Sequence, residues 1–194
     1  MSGNDARARR SALRGLQGGG RTDDRCSVAL AAEQIGERWT VLLLREVFWG
    51  SRRFETLREN LGIARNILAD RLRRLVDLDL LQRVPVAPGS RRCEYRLTDK
   101  GRDLLPVLLA LQQWGDRWLQ PGGRSPVVFV DRRDGQPIAP MAVRAADGRV
   151  LTGRDLVVTP GPGANGSTRR RIESIGRRLE PAAGDPRVAA GGAP

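Results

Sequence analysis

The stretch 51–81, SRRFETLRENLGIARNILADRLRRLVDLDLL, limits what this chain can fold into more than any other segment. Phe54, Leu57 and Leu61 recur at spacings of three and four, which places them on one stripe of a short helix. Gly62 ends that helix, because glycine enters the left-handed backbone region without a steric penalty. The residues after it predict a second helix over 64–78. At about 100° per residue, Ile67, Leu68, Leu72, Leu75 and Leu78 share one side, while Arg65, Asn66, Ala69, Asp70 and Arg73 occupy the other. Two short helices joined by a tight turn, apolar inside and polar outside, have the shape of a helix-turn-helix.

The polar side carries the residue types that read a duplex. A helix lying in the major groove offers its donors and acceptors from its N-terminal end. Arg65 matches the two acceptors of guanine, Asn66 matches the acceptor and donor of adenine, and Ala69 is small enough for close approach. Arg73 lies one turn further along. Arg71 falls toward the apolar side and is read as a structural arginine. Ala64 stands where a Ser would cap the helix, so the start lacks a side-chain acceptor. The competing reading is an ordinary solvated helix face.

The formal net charge is +12, from 34 Lys and Arg against 22 Asp and Glu, and this favours a polyanionic partner. Histidine is absent, which removes the commonest general base and metal ligand. No glycine-rich phosphate loop, nucleophile elbow or carboxylate cluster at ligand spacing is present, so an enzyme is not expected. Cys26 and Cys93 are too few for a disulfide framework. Without a long apolar run or a signal-peptide pattern, the expected place is the cytoplasm, with no membrane partner.

The remaining elements follow in order. Residues 1–25 lack any sustained period and read as a disordered basic arm. Val28, Leu30, Ala31 and Ile35 predict a helix ending near Gly36, and a second runs over 38–49, with Trp39 and Trp49 as packing residues. Alternation over 81–86 and 93–97, around the turn-rich loop 87–92, predicts a hairpin wing with Arg91 and Arg92 at its edge for phosphate or minor-groove contact. Thr98 caps a long helix over 99–119, in which Pro106 predicts a kink or break. The breadth of its apolar side, with Trp114 and Trp118, points to a homodimer interface. The fold class is therefore mainly α with a small β wing, a winged helix-turn-helix over 26–120. A small β-rich appendage over 121–160 is expected to pack on the dimer helix, with strands at 127–130, 141–143 and 150–151. A disordered tail follows over 161–194, apart from a short helix at 172–179.

Residues 26–119 resemble the HxlR family of winged helix-turn-helix transcriptional regulators, within the wider MarR-like group. The matching positions are Cys26-Ser-Val, Ile35-Gly-Glu-Arg-Trp39-Thr, Arg53-Phe-Glu-Thr-Leu57, Leu61-Gly-Ile-Ala-Arg-Asn-Ile-Leu68, Arg71-Leu72, Glu94-Tyr-Arg-Leu-Thr98, Gly101, Leu104-Leu-Pro-Val107 and Trp114-Gly115. The resemblance implies homodimers on palindromic double-stranded DNA operators, most often as repressors. The DNA-binding positions are then Arg53, Arg65, Asn66, Ala69, Asp70, Arg73, Arg91 and Arg92. It also implies a role for Cys26, since several such regulators sense oxidants or electrophiles with a cysteine at the start of the first helix. A thiol beside Arg25 at a helix N-terminus suits a reactive thiolate, and an inert cysteine is the competing reading. Cys93 is read as structural. Some relatives carry metal ligands in a similar extension; no Cys or His lies in this one, so neither zinc nor another cofactor is expected. A small-molecule effector and a non-sequence-specific, architectural binding mode both stay open.

Overall fold

The computed structural model describes residues 26–179, so the arm expected over 1–25 and the end of the tail lie outside the described residues. Four helices lead the described residues: α1 (Ser27–Ile35), α2 (Arg38–Phe48), α3 (Phe54–Leu61) and α4 (Arg65–Asp77). A hairpin of β1 (Leu81–Pro85) and β2 (Cys93–Leu97) comes next, then the one-turn α5 (Asp99–Arg102) and the longer α6 (Leu105–Trp118). The strands pair antiparallel from Leu81 opposite Leu97 to Pro85 opposite Cys93. This is a winged helix-turn-helix, as the period of the sequence requires.

Leucine spacing builds the core. Leu43 and Leu44 of α2, Leu57 of α3, Leu68, Leu72 and Leu75 of α4, and Leu80 and Leu81 at the strand entry are all buried. Ile63, directly after the turn, joins them, while Tyr95 and Leu97 lay the wing against the same cluster. Removing a leucine side chain from water contributes about 1.5–3 kcal/mol, so these positions dominate what holds α4 in place. Gly62 adopts φ 59°, which lets the chain reverse between α3 and α4. One apolar expectation is corrected: Ile67 is 37% exposed, because it lies about 100° round the helix from Leu68.

A charge sits inside this apolar frame. Glu46 of α2 is 3% exposed, and its carboxylate accepts from Asn60 Nδ2 at 2.8 Å, Ser51 Oγ at 3.3 Å and Arg45 at 2.7 Å. It therefore fastens α2 to both ends of the α3 segment. Burial works against its ionisation, but the hydrogen bonds from Asn60, Arg45 and Ser51 and the Arg45 charge outweigh this and hold its pKa below the ordinary 4.5.

The predicted long helix is interrupted at Asp103 and Leu104, and Pro106 falls in the first turn of α6, where its missing N–H removes no helical bond. Thr98 caps α5 as expected, its Oγ1 accepting from Gly101 N at 3.0 Å. Gly101 is buried against the strand entry. A Cβ built there would lie 2.1 Å from the Leu80 carbonyl oxygen and 3.1 Å from Leu97 Cδ2.

The described chain separates into two compact units meeting between Met141 and Ala142. In the first, 126–141 forms a single bridge, Val130 opposite Pro137, where strands were expected, and Ile138 N donates to Phe129 O. Within this unit the segment contacts α6, where Gln112 Nε2 donates to Val127 O and Met141 N donates to Gln113 Oε1, so the single appendage expected over 121–160 is divided at residue 141. In the second, Arg144 bridges Val150 and Thr152 hydrogen-bonds Asp155 around a short 3-10 turn, Gly153–Asp155. Alternation supplies faces but no neighbouring strand edge, which is why these segments stop at single bridges. The helix expected at 172–179 begins earlier, as α7 (Gly166–Leu179), because Asn165 Oδ1 accepts from Thr168 N and so starts it.

Substituting Gly101→Ala should destabilise the protein by about 1–3 kcal/mol, read from urea unfolding, because the new methyl group must push the Leu80 backbone away. Glu46→Gln should cost about 1–3 kcal/mol at neutral pH. The Glu46 pKa is lowered on folding, so the wild-type advantage is complete above pH 4.5 and fades as pH falls through the lowered folded value. An advantage that grew on acidification would contradict this.

Candidate nucleic-acid interface

The inward side of α4 is fixed by Leu68, Leu72 and Leu75, and this turns Asn66, Asp70 and Arg73 to solvent. Asn66 stands in the first turn, Ala69 is half-buried beside it, and Arg73 is 69% exposed on the next turn but one. Asp70 does not face solvent alone. Its carboxylate meets Arg71 at 2.7 Å and Arg73 at 3.7 Å, so the centre of the face is a carboxylate held between two guanidinium groups.

Arg71 also reaches Glu37 at 3.2 Å, and Glu37 caps α2 through Thr40 N at 3.0 Å. The structural reading of Arg71 is therefore correct in geometry: it ties α4 to the start of α2. Arg74, on the far flank, donates to the Glu33 carbonyl of α1 at 3.0 Å.

Arg65 is placed differently from the other polar residues of α4. It pairs with Glu55 at 2.5 Å and lies over the Phe54 ring at 5.3 Å, across the turn on α3. Glu55 is shared with Arg58 at 2.8 Å. Desolvation opposes ionisation of Glu55, and the hydrogen bonds from Arg58 and Arg65 overcome it, lowering its pKa. Sequence reasoning missed this carboxylate, for which the available signal was the three-residue spacing of Glu55 and Arg58 on one helix face.

The wing is aligned with the helix pair by the backbone. Tyr95 N of β2 donates to Arg52 O at 2.8 Å, and Thr98 Oγ1 donates to Asp79 O at 2.6 Å. Lys100 Nζ donates to Leu78 O at 2.7 Å, which closes the C-terminal end of α4. Beyond the strands, Val86 N pairs with Arg92 O and Gly89 turns at φ 77°. Arg91 and Arg92 are exposed at the far end. Arg53, exposed at the N-cap of α3, is one residue from the Arg52 carbonyl that anchors the wing, so it lies between helix pair and wing. Arg83, exposed on β1, adds a cation that the sequence reading left out.

Cys26 is exposed at the N-cap of α1, in extended backbone, while Cys93 is half-buried with Sγ 3.9 Å from the Arg91 carbonyl. Arg25 lies outside the described residues. Of the two packing tryptophans, Trp39 lies against the core beneath Arg38, but Trp49 is 43% exposed beneath Arg45 and faces a cavity. The expectation for Trp49 is corrected accordingly: Gly50 turns the chain directly after it, so the ring ends at the rim.

A family model described as an HxlR-like helix-turn-helix matches residues 34–122. An HTH-type transcriptional regulator of Mycobacterium tuberculosis is 44% identical over 137 residues, covering 71% of this chain and 87% of the relative. The chain belongs to the HxlR family. The crystal structure of PA1607, a candidate transcription factor, superposes with a TM-score of 0.67 at 42% identity, over 72% of this chain and 97% of the other. The HTH-type regulator YodB of Bacillus subtilis is 30% identical over 89 residues, 45% of this chain and 80% of that one. In this HxlR-family regulator, α3 and α4 are the helix-turn-helix and the β1–β2 hairpin is the wing. No described helix is long and apolar enough to cross a membrane.

Proposed function

We propose that the chain acts as a homodimeric, sequence-specific repressor in the cytoplasm, binding a palindromic operator. The observation that carries this reading is the division of α4: one side buries Leu68, Leu72 and Leu75, and the other offers Asn66, Asp70 and Arg73 to solvent at groove-reading spacing. Asn66 and Ala69 address base edges near the helix start, and Asp70 can accept from a cytosine amino group. Arg65 gives up or shares Glu55 when it reaches guanine. Arg91 and Arg92 on the wing, with Arg53 at the start of α3, meet phosphate and set position.

An architectural, sequence-blind role fits less well. Such a surface gains by being uniformly cationic, whereas this face holds a carboxylate at its centre. Catalysis forms no part of the proposal.

Dimerisation is assigned to α6. Val107, Leu111, Trp114 and Trp118 are all more than half exposed. Their spacings of four, three and four repeat an a/d seam, which is how one helix packs along another. A two-fold axis beside this seam would place two copies of α4 on successive turns of a duplex. For the signal, the exposed thiol of Cys26 at the root of α1 is the group proposed to meet oxidants or electrophiles.

In binding measurements on short duplexes, Asn66→Ala should cost about 1–3 kcal/mol and relax preference at one base pair of each half-site. Arg91→Ala should weaken all sequences alike and reduce the salt slope by about one. Identical behaviour of the two variants would refute the division of roles. A footprint of the full chain on genomic fragments should show two symmetry-related protected half-sites, and oxidant or quinone should release them in the wild type but not in Cys26→Ser. An asymmetric single footprint removes the dimer reading; equal release in both proteins removes the thiol reading alone.

A further inference from the structure

The described residues end in α7, a strongly charged helix outside both the helix-turn-helix and the wing. Its sequence, GSTRRRIESIGRRL, holds five arginines against one glutamate. At about 100° per residue, Thr168, Ile172 and Ile175 fall within roughly 60° of one another, while Arg169, Arg170 and Arg171 fan over the other sides. We propose that α7 is a second DNA-binding element of this chain, a sequence-independent grip in which these three arginines meet the phosphates of a duplex. This rests only on the reading that the chain binds duplex DNA.

The state of the arginines points to phosphate. Arg169, Arg170 and Arg171 are all exposed, and no described carboxylate pairs with any of them. Elsewhere arginines of this chain are engaged: Arg45 meets Glu46, Arg71 meets Asp70 and Glu37, and Arg102 meets Asp99. Glu173 stands four residues after Arg169 and three after Arg170, spacings at which helical ion pairs form, yet it pairs with neither. These cations are therefore available without breaking an internal pair, unlike Arg65 and Arg73 of α4.

The helix is also set before any partner arrives. Asn165 Oδ1 accepts from Thr168 N and from Ser167 Oγ, each at 2.8 Å, so the arginines follow directly on a capped first turn and binding has little further order to impose. Three cations close to the positive end of a helix oppose its dipole. Local stability does not account for that placement, whereas attraction of an anion does. Successive positions leave the helix about 100° apart, so the three groups cannot all close on one small anion. Phosphates repeated along two strands suit such a fan. An anionic membrane fits less well, because a helix lying in a lipid interface buries a wide apolar face, commonly with aromatic anchors. The sequence of α7 has no aromatic residue, and Ile172 is already half-buried.

The test is the salt dependence of binding of the full chain to a random-sequence duplex and to a duplex taken from its genomic footprint. Arg169→Gln, Arg170→Gln and Arg171→Gln together keep a good helix former at each position. They should weaken both duplexes by about tenfold or more, and lower the slope of log K against log salt by about three for each α7 engaged. The ratio of the two affinities should stay unchanged. The same three positions changed to Lys should keep the wild-type slope, because an ammonium also meets phosphate. Circular dichroism checks the fold of both variants, and Arg171→Gln alone, with a slope lower by about one, serves where the triple Gln variant is lost. An unchanged slope in the Gln variant overturns the proposal, as does a Lys variant that behaves like the Gln one. Binding to phosphatidylserine vesicles that the Gln substitutions remove, with DNA binding untouched, overturns it in favour of a membrane. A wild type without preference between the two duplexes removes the repressor reading alone, since the random duplex still reports on α7.

Discussion

Packing of the α4 leucines against α2 is the constraint from which the rest follows. Leu68, Leu72 and Leu75 have no accessible surface, and a helix sealed along three successive turns cannot roll about its own axis without opening a cavity. That fixes which residues reach solvent. Asn66 and Arg73 face outward because the leucines face inward. Glu46 adds a second restraint, since its bonds to Ser51 and Asn60 hold α3 at a set distance from α2.

Much of this was legible in the sequence because it depends on period and on single turn residues. The leucine spacing gives α4, Gly62 gives the turn, Thr98 gives the cap, and alternation around 87–92 gives the wing. What could not be read depends on two distant residues meeting. Glu46 looks like a surface residue on an apolar helix until Asn60 arrives fourteen positions later to satisfy it. Arg65 was grouped with the outward face from the helical wheel, yet its guanidinium turns back to Glu55 and Phe54. The alternating segments after residue 126 show the opposite failure. Their pattern was local and correct in kind, but a strand also needs an edge to pair with, and each found only a single bridge.

In the proposed reading of α4, the Glu55–Arg65 pair bears on selectivity. An arginine with no carboxylate nearby gains its full electrostatic benefit from any phosphate, whichever the base sequence. One already paired gives up that interaction on leaving, so the exchange is favourable only where the new partner offers comparable geometry. Guanine, with two acceptors spaced for a guanidinium, does so. The carboxylate of Asp70 works in the same direction on Arg73.

The contact between Gly101 and the Leu80 carbonyl has a mechanical meaning. It seats the root of α5 directly on the backbone at the entry to the hairpin, so neither can shift without the other. The loop 87–92, by contrast, hangs beyond the last strand pair and carries none of that joint. Its length and charge can therefore be exchanged without disturbing the frame, so the tip of the hairpin is the part of this fold most open to variation.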